Sequence, residues 1–169
     1  VRALERKGAE VMLAATDVTD VEGVRQAAEA ARARWGAIHG VIHAAGTVDD
    51  DLIQLKSLTE VENVFAPKIH GTAVLDSVFA GDDLDFMVLF SSTSTVTAPA
   101  GQVDYVAANA FLNAYAASRS AADRRRQTLA INWGIWNEVG MAAEALLRAE
   151  PVAVGSADAA SATPAEDAQ

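Results

Sequence analysis

Two hydroxyls, a phenol and an amide fall in one short stretch: Ser91 and Ser92, then Tyr105 and Asn109. The serines close an apolar run, Phe86 to Phe90 (FMVLF), which has the length and composition of a buried strand. A small-residue loop with Pro99 and Gly101 follows, and a helix is predicted to start near Gln102. Tyr105 and Asn109 are four residues apart and so share one face of that helix. A hydroxyl at the carboxyl end of a strand, facing a helical tyrosine, stands where open α/β sheets place their ligands. Such O–H groups can hydrogen-bond a substrate oxygen or deliver a proton to it. The pair taken alone fits an ordinary half-buried helix face equally well.

The elements that must position these groups can be followed along the chain. VRALERKG reads as the last turns of a helix stopped by Gly8, and Glu10 to Thr16 as a short buried strand. Thr19 or Asp20 can cap a helix from Val21 to Trp35, whose apolar positions recur at helical spacing and which Gly36 ends. Ile38 to Ala45 is the next strand, closed by Gly46, with Asp49, Asp50 and Asp51 in the loop beyond. A long helix is predicted from about Thr59 to Phe79. Pro67 lies inside it and must kink it, so Lys68 projects from a bend. The central strand and the helix from Gln102 to Ser120 come next. Asp123 to Arg126 reads as a solvated turn, Leu129 to Trp133 as a further strand, and Trp136 to Glu150 carries a short helix.

Strands alternating with helices at this spacing predict an α/β fold with a Rossmann-like, doubly wound parallel sheet. Such a fold opens with a glycine-rich turn that holds a pyrophosphate. No GxGxxG occurs in the sequence, so the fold is expected to lack its first βαβ unit, and Val1 reads as a cut through an α/β unit. Residues 1–150 form the expected domain. Residues 151–169, rich in Ala, Ser and acids, read as a disordered tail or inter-domain linker.

Composition narrows the function. The formal charge of −10 argues against nucleic acid or an anionic membrane surface as partner. With no cysteine there is no disulfide or thiolate chemistry. His39, His43 and His70 have no ligand spacing, so no metal site is expected, and His43 reads as a packed strand residue. No apolar run reaches transmembrane length and no signal peptide opens the chain, which makes a soluble cytoplasmic protein the default.

Seven segments in order carry a family resemblance: ATDVTD (15–20), GVIHAAG (40–46), TVDDD (47–51), FAPKIHG (65–71), FMVLFSS (86–92), GQVDYVAANAFLNA (101–114) and INWGIWNEVGMA (131–142). With them the chain resembles the ketoreductase domain of modular type I polyketide synthases, a branch of the short-chain dehydrogenase/reductase superfamily. Tyr105 lies 13 residues after Ser92 and 37 after Lys68, as in that family. In most other short-chain reductases a lysine follows the tyrosine by four; here that position is Asn109.

The resemblance implies hydride transfer from NADPH to a ketone, with Ser92, Tyr105, Lys68 and Asn109 catalytic. Tyr105 would donate the proton. A free phenol has a pKa of about 10, and a nearby ammonium favours the phenolate, which would be one task of Lys68. Its other task would be the nicotinamide ribose. Ser92 would hydrogen-bond the carbonyl oxygen. Asn109 would hold Lys68 or a water in a proton relay. The implied cofactor-binding residues are Asp17 and Val18 at the adenine and Ala44, Ala45 and Gly46 near the ribose. Trp133 and Gly134 would lie beside the nicotinamide, with Lys68 and Tyr105 completing the set; Trp133 fits the core equally well.

Val48-Asp49-Asp50 stands where one class of these reductases has Leu-Asp-Asp, and Thr97 where the opposite class has a tryptophan. The implied product is therefore the B-type, D-configured 3-hydroxyacyl chain. It would be reduced while tethered through phosphopantetheine to an acyl carrier protein, beside other synthase domains. Three aspartates in a loop also fit a plain solvated turn. Two alternatives stand beside this reading: a non-catalytic reductase-like fragment of a synthase, and a free-standing short-chain dehydrogenase. Half a doubly wound sheet also leaves apolar surface uncovered, so the isolated chain is expected to be marginal or self-associating.

Overall fold

The structure, a computed structural model, describes residues 1–122 and 126–136. The sheet and its helices belong to the compact unit Val1–Ile135. Apart from Trp136 itself, the predicted helix from Trp136 to Glu150 and the tail from Pro151 lie outside the described residues.

Three parallel strands form the sheet in the order β1 (Gly40–His43), β2 (Phe86–Ser92), β3 (Gln127–Trp133). The register sets Val41 beside Met87 and Thr128, and His43 beside Leu89 and Ala130. Successive strand residues point to opposite faces, and one face carries Val41, Met87, Leu89 and Thr128, all buried. The other face presents Ile42 and Leu129, 61% and 48% exposed, with Phe86 and Ile131. Gly40 lets the Phe86 ring lie over its backbone: a Cβ there would sit 2.2 Å from the ring.

The helices bury the first face. After α1 (Arg2–Glu5), α2 (Val21–Trp35) has the predicted bounds, with Asp20 accepting from the amides of Glu22 and Gly23 and with Gly36 at φ +87 ending it. It buries Val24 and Ala28 and packs on the helix Gly71–Val78. The predicted long helix is three segments: α3 (Leu58–Phe65), a π-helical turn (Ala66–His70) and α4 (Gly71–Val78). A capping box between Ser57 and Glu60 starts it. After the short α5 (Ser94–Thr97), α6 (Val103–Ala122) packs on β2 and β3; Ala108, Leu112 and Ala116, one turn apart, are buried.

Two expectations fail. Residues 10–16 pair with no strand, and Leu13 is 78% exposed. An apolar run becomes a strand only within a ladder, and among the described residues β1 pairs on one side alone, with β2. Arg126 is not solvated: its side chain is 13% exposed and shares the Asp76 carboxylate with Arg119, because that half-buried acid draws both guanidiniums. Residues 123–125 of that turn are outside the described set.

Candidate active site

Lys68 is the anchor of the site. It is 3% exposed, unusual for a lysine, and the π turn puts it there. Pro67 has no N–H to give the carbonyl of Asn63 four residues back, and Thr47 Oγ1 donates to that carbonyl instead, at 3.1 Å. The extra residue in the π turn swings Lys68 inward. Its Nζ donates to the Phe90 carbonyl at 2.9 Å and lies 5.8 Å from the centre of the Tyr105 ring. Gly46 presses against it: a Cβ there would be 3.0 Å from Lys68 Cε and 3.2 Å from Nζ. Burial pulls the ammonium down to about 8.

The other expected catalytic residues gather around this point to different degrees. Ser92 ends β2, and its oxygen accepts the Ser94 amide at 3.1 Å, so its own hydrogen remains to be donated. Tyr105 is half-buried near the start of α6. Asn109 is fully buried and Nδ2 donates to the Tyr105 carbonyl at 2.7 Å, while its Oδ1 has no hydrogen-bond partner. Lys68 is thus held by Phe90, not by Asn109. Ser91, on the buried face, donates to the Asn109 carbonyl at 3.1 Å and joins strand to helix.

Five of the expected cofactor residues, Ala44, Ala45, Gly46, Trp133 and Gly134, lie at the carboxyl ends of strands. Ala44, Ala45 and Gly46 follow β1; Trp133 ends β3, its ring 5.3 Å from that of Phe90, and Gly134 is open, with nothing within 4 Å of a Cβ built there. Val18 packs on Gly71, where a Cβ would meet it at 2.7 Å. Asp17 is exposed and accepts from the amide and hydroxyl of Thr19, which hold its carboxyl below the usual range. Small residues along the strand ends, the buried ammonium of Lys68 and the unpartnered Asn109 Oδ1 fit a nicotinamide and its ribose. A diphosphate cradle is not among these residues, since no GxGxxG occurs in the sequence.

His43 is 3% exposed; burial first, then the charge of Lys68, lowers its pKa to about 4 against a bond to the Pro67 carbonyl that raises it. It is a neutral packed residue, as its place in β1 suggested. No three metal-ligating side chains cluster among the described residues.

Val48 is half-buried and Asp49 and Asp50 are exposed. Gln102 Nε2 donates to Asp50 Oδ2 at 2.8 Å, and the Asp51 amide donates to the Gly101 carbonyl at 3.1 Å. Sequence reasoning missed what lies beneath: Lys56 Nζ meets Asp104 Oδ2 at 2.8 Å, with the two side chains 2% and 1% exposed. An acid in the first turn of a helix reads as a solvated dipole partner, so no local signal marked Asp104.

Comparison with known proteins matches residues 1–138 to the family model of the KR domain. The chain is 40% identical over 144 residues to Polyketide synthase PksN of Bacillus subtilis (strain 168), covering 83% of the chain and 3% of that protein. It is similar to the crystal structure of a ketoreductase domain from the bacillaene assembly line: TM-score 0.76, 39% identity, 83% of this chain and 34% of that one. A short-chain dehydrogenase/reductase from Burkholderia phymatum in complex with NAD has the same fold: TM-score 0.74, 21% identity, 80% of this chain and 51% of that one. The sheet is thus Rossmann-like, and the chain spans a small part of the polyketide synthase it matches.

Proposed function

We propose that this chain, which belongs to the KR domain family of polyketide synthases, carries the catalytic residues of an NADPH-dependent β-ketoacyl reductase. Its substrate is a β-ketoacyl thioester on the phosphopantetheine arm of an acyl carrier protein, and its product the B-type, D-configured 3-hydroxyacyl chain. The observation that carries this reading is Lys68: an ammonium sunk to 3% exposure at the strand ends, beside both Tyr105 and Gly46. A buried lysine without a carboxylate is costly, and a site that must handle a developing negative oxygen is a reason to keep one.

An NADPH held here would supply the hydride for the ketone carbon; the rest falls to side chains. Tyr105 gives its phenolic proton to the ketone oxygen, and Lys68 favours the phenolate left behind. Ser92 aims its free hydrogen at the same oxygen and stabilises the charge that develops there. Asn109 fastens the first turns of α6, which carry Tyr105, to β2: its Nδ2 donates to the Tyr105 carbonyl and its own carbonyl accepts from Ser91. Lys68, with two donors left after Phe90, reaches for ribose hydroxyls. Asp17 and Val18 would border the adenine, Ala44 to Gly46 the ribose, and Trp133 and Gly134 the nicotinamide. Val48, Asp49 and Asp50 flank the substrate.

The test is an NADPH titration of this chain beside a version extended upstream by one glycine-rich βαβ unit. Binding by the extended protein alone, with reduction of a β-ketoacyl thioester, is the expected result. If neither protein binds, the reductase reading fails and the non-catalytic one replaces it.

A further inference from the structure

The loop of three aspartates is fastened at three points to the turn from which Tyr105 projects. Asp51 is tied through its amide to Gly101, and Asp50 through its carboxylate to Gln102. Asp49 is tied through its carbonyl to Lys56, whose Nζ also meets Asp104 at 2.8 Å. The other oxygen of Asp104 accepts the amide of Tyr105 at 2.8 Å. A continuous polar path therefore runs from Asp49 through Lys56 and Asp104 to the backbone of Tyr105. Gly101, at φ +82, lets the turn lie flat against the loop, with Asp51 O 3.6 Å from where a Cβ would stand.

The three ties are not equal. The Gln102–Asp50 bond is exposed and in competition with water. The Lys56–Asp104 pair is shut off from water, and breaking one partner of such a pair leaves a charge buried alone. Buried ion pairs add little stability over apolar replacements, so geometry is the better reason for this one.

We propose that Lys56 and Asp104 are positioning residues whose buried ion pair holds the 49–51 loop against one flank of Tyr105 and so sets the face on which the ketone is reduced. The inference rests on the reductase reading above. With the loop clamped, the acyl chain lies along the opposite flank of the tyrosine; with it released, both flanks accept the chain and both alcohols form.

The test uses the upstream-extended reductase with NADPH and a β-ketoacyl N-acetylcysteamine thioester, comparing wild type with Lys56→Arg, Lys56→Met and the double variant Lys56→Met/Asp104→Leu. The double variant replaces the pair by apolar side chains and guards against simple unfolding. The expected result is an enantiomer ratio eroded by about fivefold or more in the Met-bearing variants. NADPH affinity stays within about twofold, and Lys56→Arg, which keeps the charge on a bulkier head group, retains more of the ratio than Lys56→Met. A wild-type ratio in a folded double variant overturns the proposal, and so does failure of the double variant to unfold cooperatively, which makes the pair structural only. If the wild type reduces nothing, the reductase reading itself has failed.

Discussion

Lys68 and His43 are buried side by side, and each stays in place at a cost that depends on pH. The lysine falls from 10.5 to about 8 on folding, so between those values the unfolded chain binds more protons. Its cost is complete below about pH 8 and is relieved as pH rises towards 10.5. We expect stability to rise by on the order of 2 kcal/mol between about pH 7.5 and about pH 9.5, and Lys68→Met to abolish the rise, read from urea midpoints. The histidine falls from 6.5 to about 4, so stability is lost as pH drops through that window. His43→Leu should flatten the acid limb between those values. At the same scale, Tyr105→Phe in the extended reductase should lower kcat by about 10²- to 10⁴-fold and leave NADPH binding intact, as loss of a proton donor would.

Among the elements, the π turn decides whether Lys68 can do its work. An uninterrupted α-helix from Leu58 to Val78 would carry the lysine round with its neighbours. The missing amide of Pro67, the Thr47 bond to Asn63 and the Gly71 amide bond to Ala66 hold the wider turn. Pro67→Ala restores a helical donor. The expected outcome is a kcat lowered by up to about 10²-fold through misplacement of Lys68, with little change in melting temperature. An unchanged kcat would mean that the turn persists without the proline. Helix α6 acts as the second positioning element: its pitch brings Asn109 under the Tyr105 carbonyl, and its buried stripe of Ala108, Leu112 and Ala116 fixes the phase.

For the molecule as a unit, the open sheet face is the dominant feature. Ile42, Phe86, Leu129 and Ile131 place apolar side chains in water on a sheet whose outer strands, among the described residues, each keep one unpaired edge. The isolated chain should therefore self-associate, with a melting temperature that depends on concentration. Lys substitution at Ile42 and Ile131 together should suppress the association in sedimentation velocity. A monomer over the whole concentration range would count against the prediction. Among the described residues no helix is long and apolar enough to cross a membrane.

What the amino-acid sequence determined by itself was everything written in short-range chemistry. The Asp20 cap and Gly36 stop bounded α2, the FMVLF run marked β2, and four-residue spacing put Tyr105 and Asn109 on one turn of α6. The ordered motifs were enough for the family, because their order and spacing record the fold as a unit. Tertiary structure decided what depends on partners distant in the chain. Residues 10–16 look like a strand and make none, since a ladder needs a neighbour. Arg126 sits in a charged run, yet Asp76 takes it in. Pro67 announced a bend, but only packing against Phe90, Tyr105 and Gly46 made Lys68 a buried ammonium. Lys56 and Asp104 each resemble surface charges in their own segments. Nothing local separates such a pair from a solvated one, because burial is a property of what folds over it.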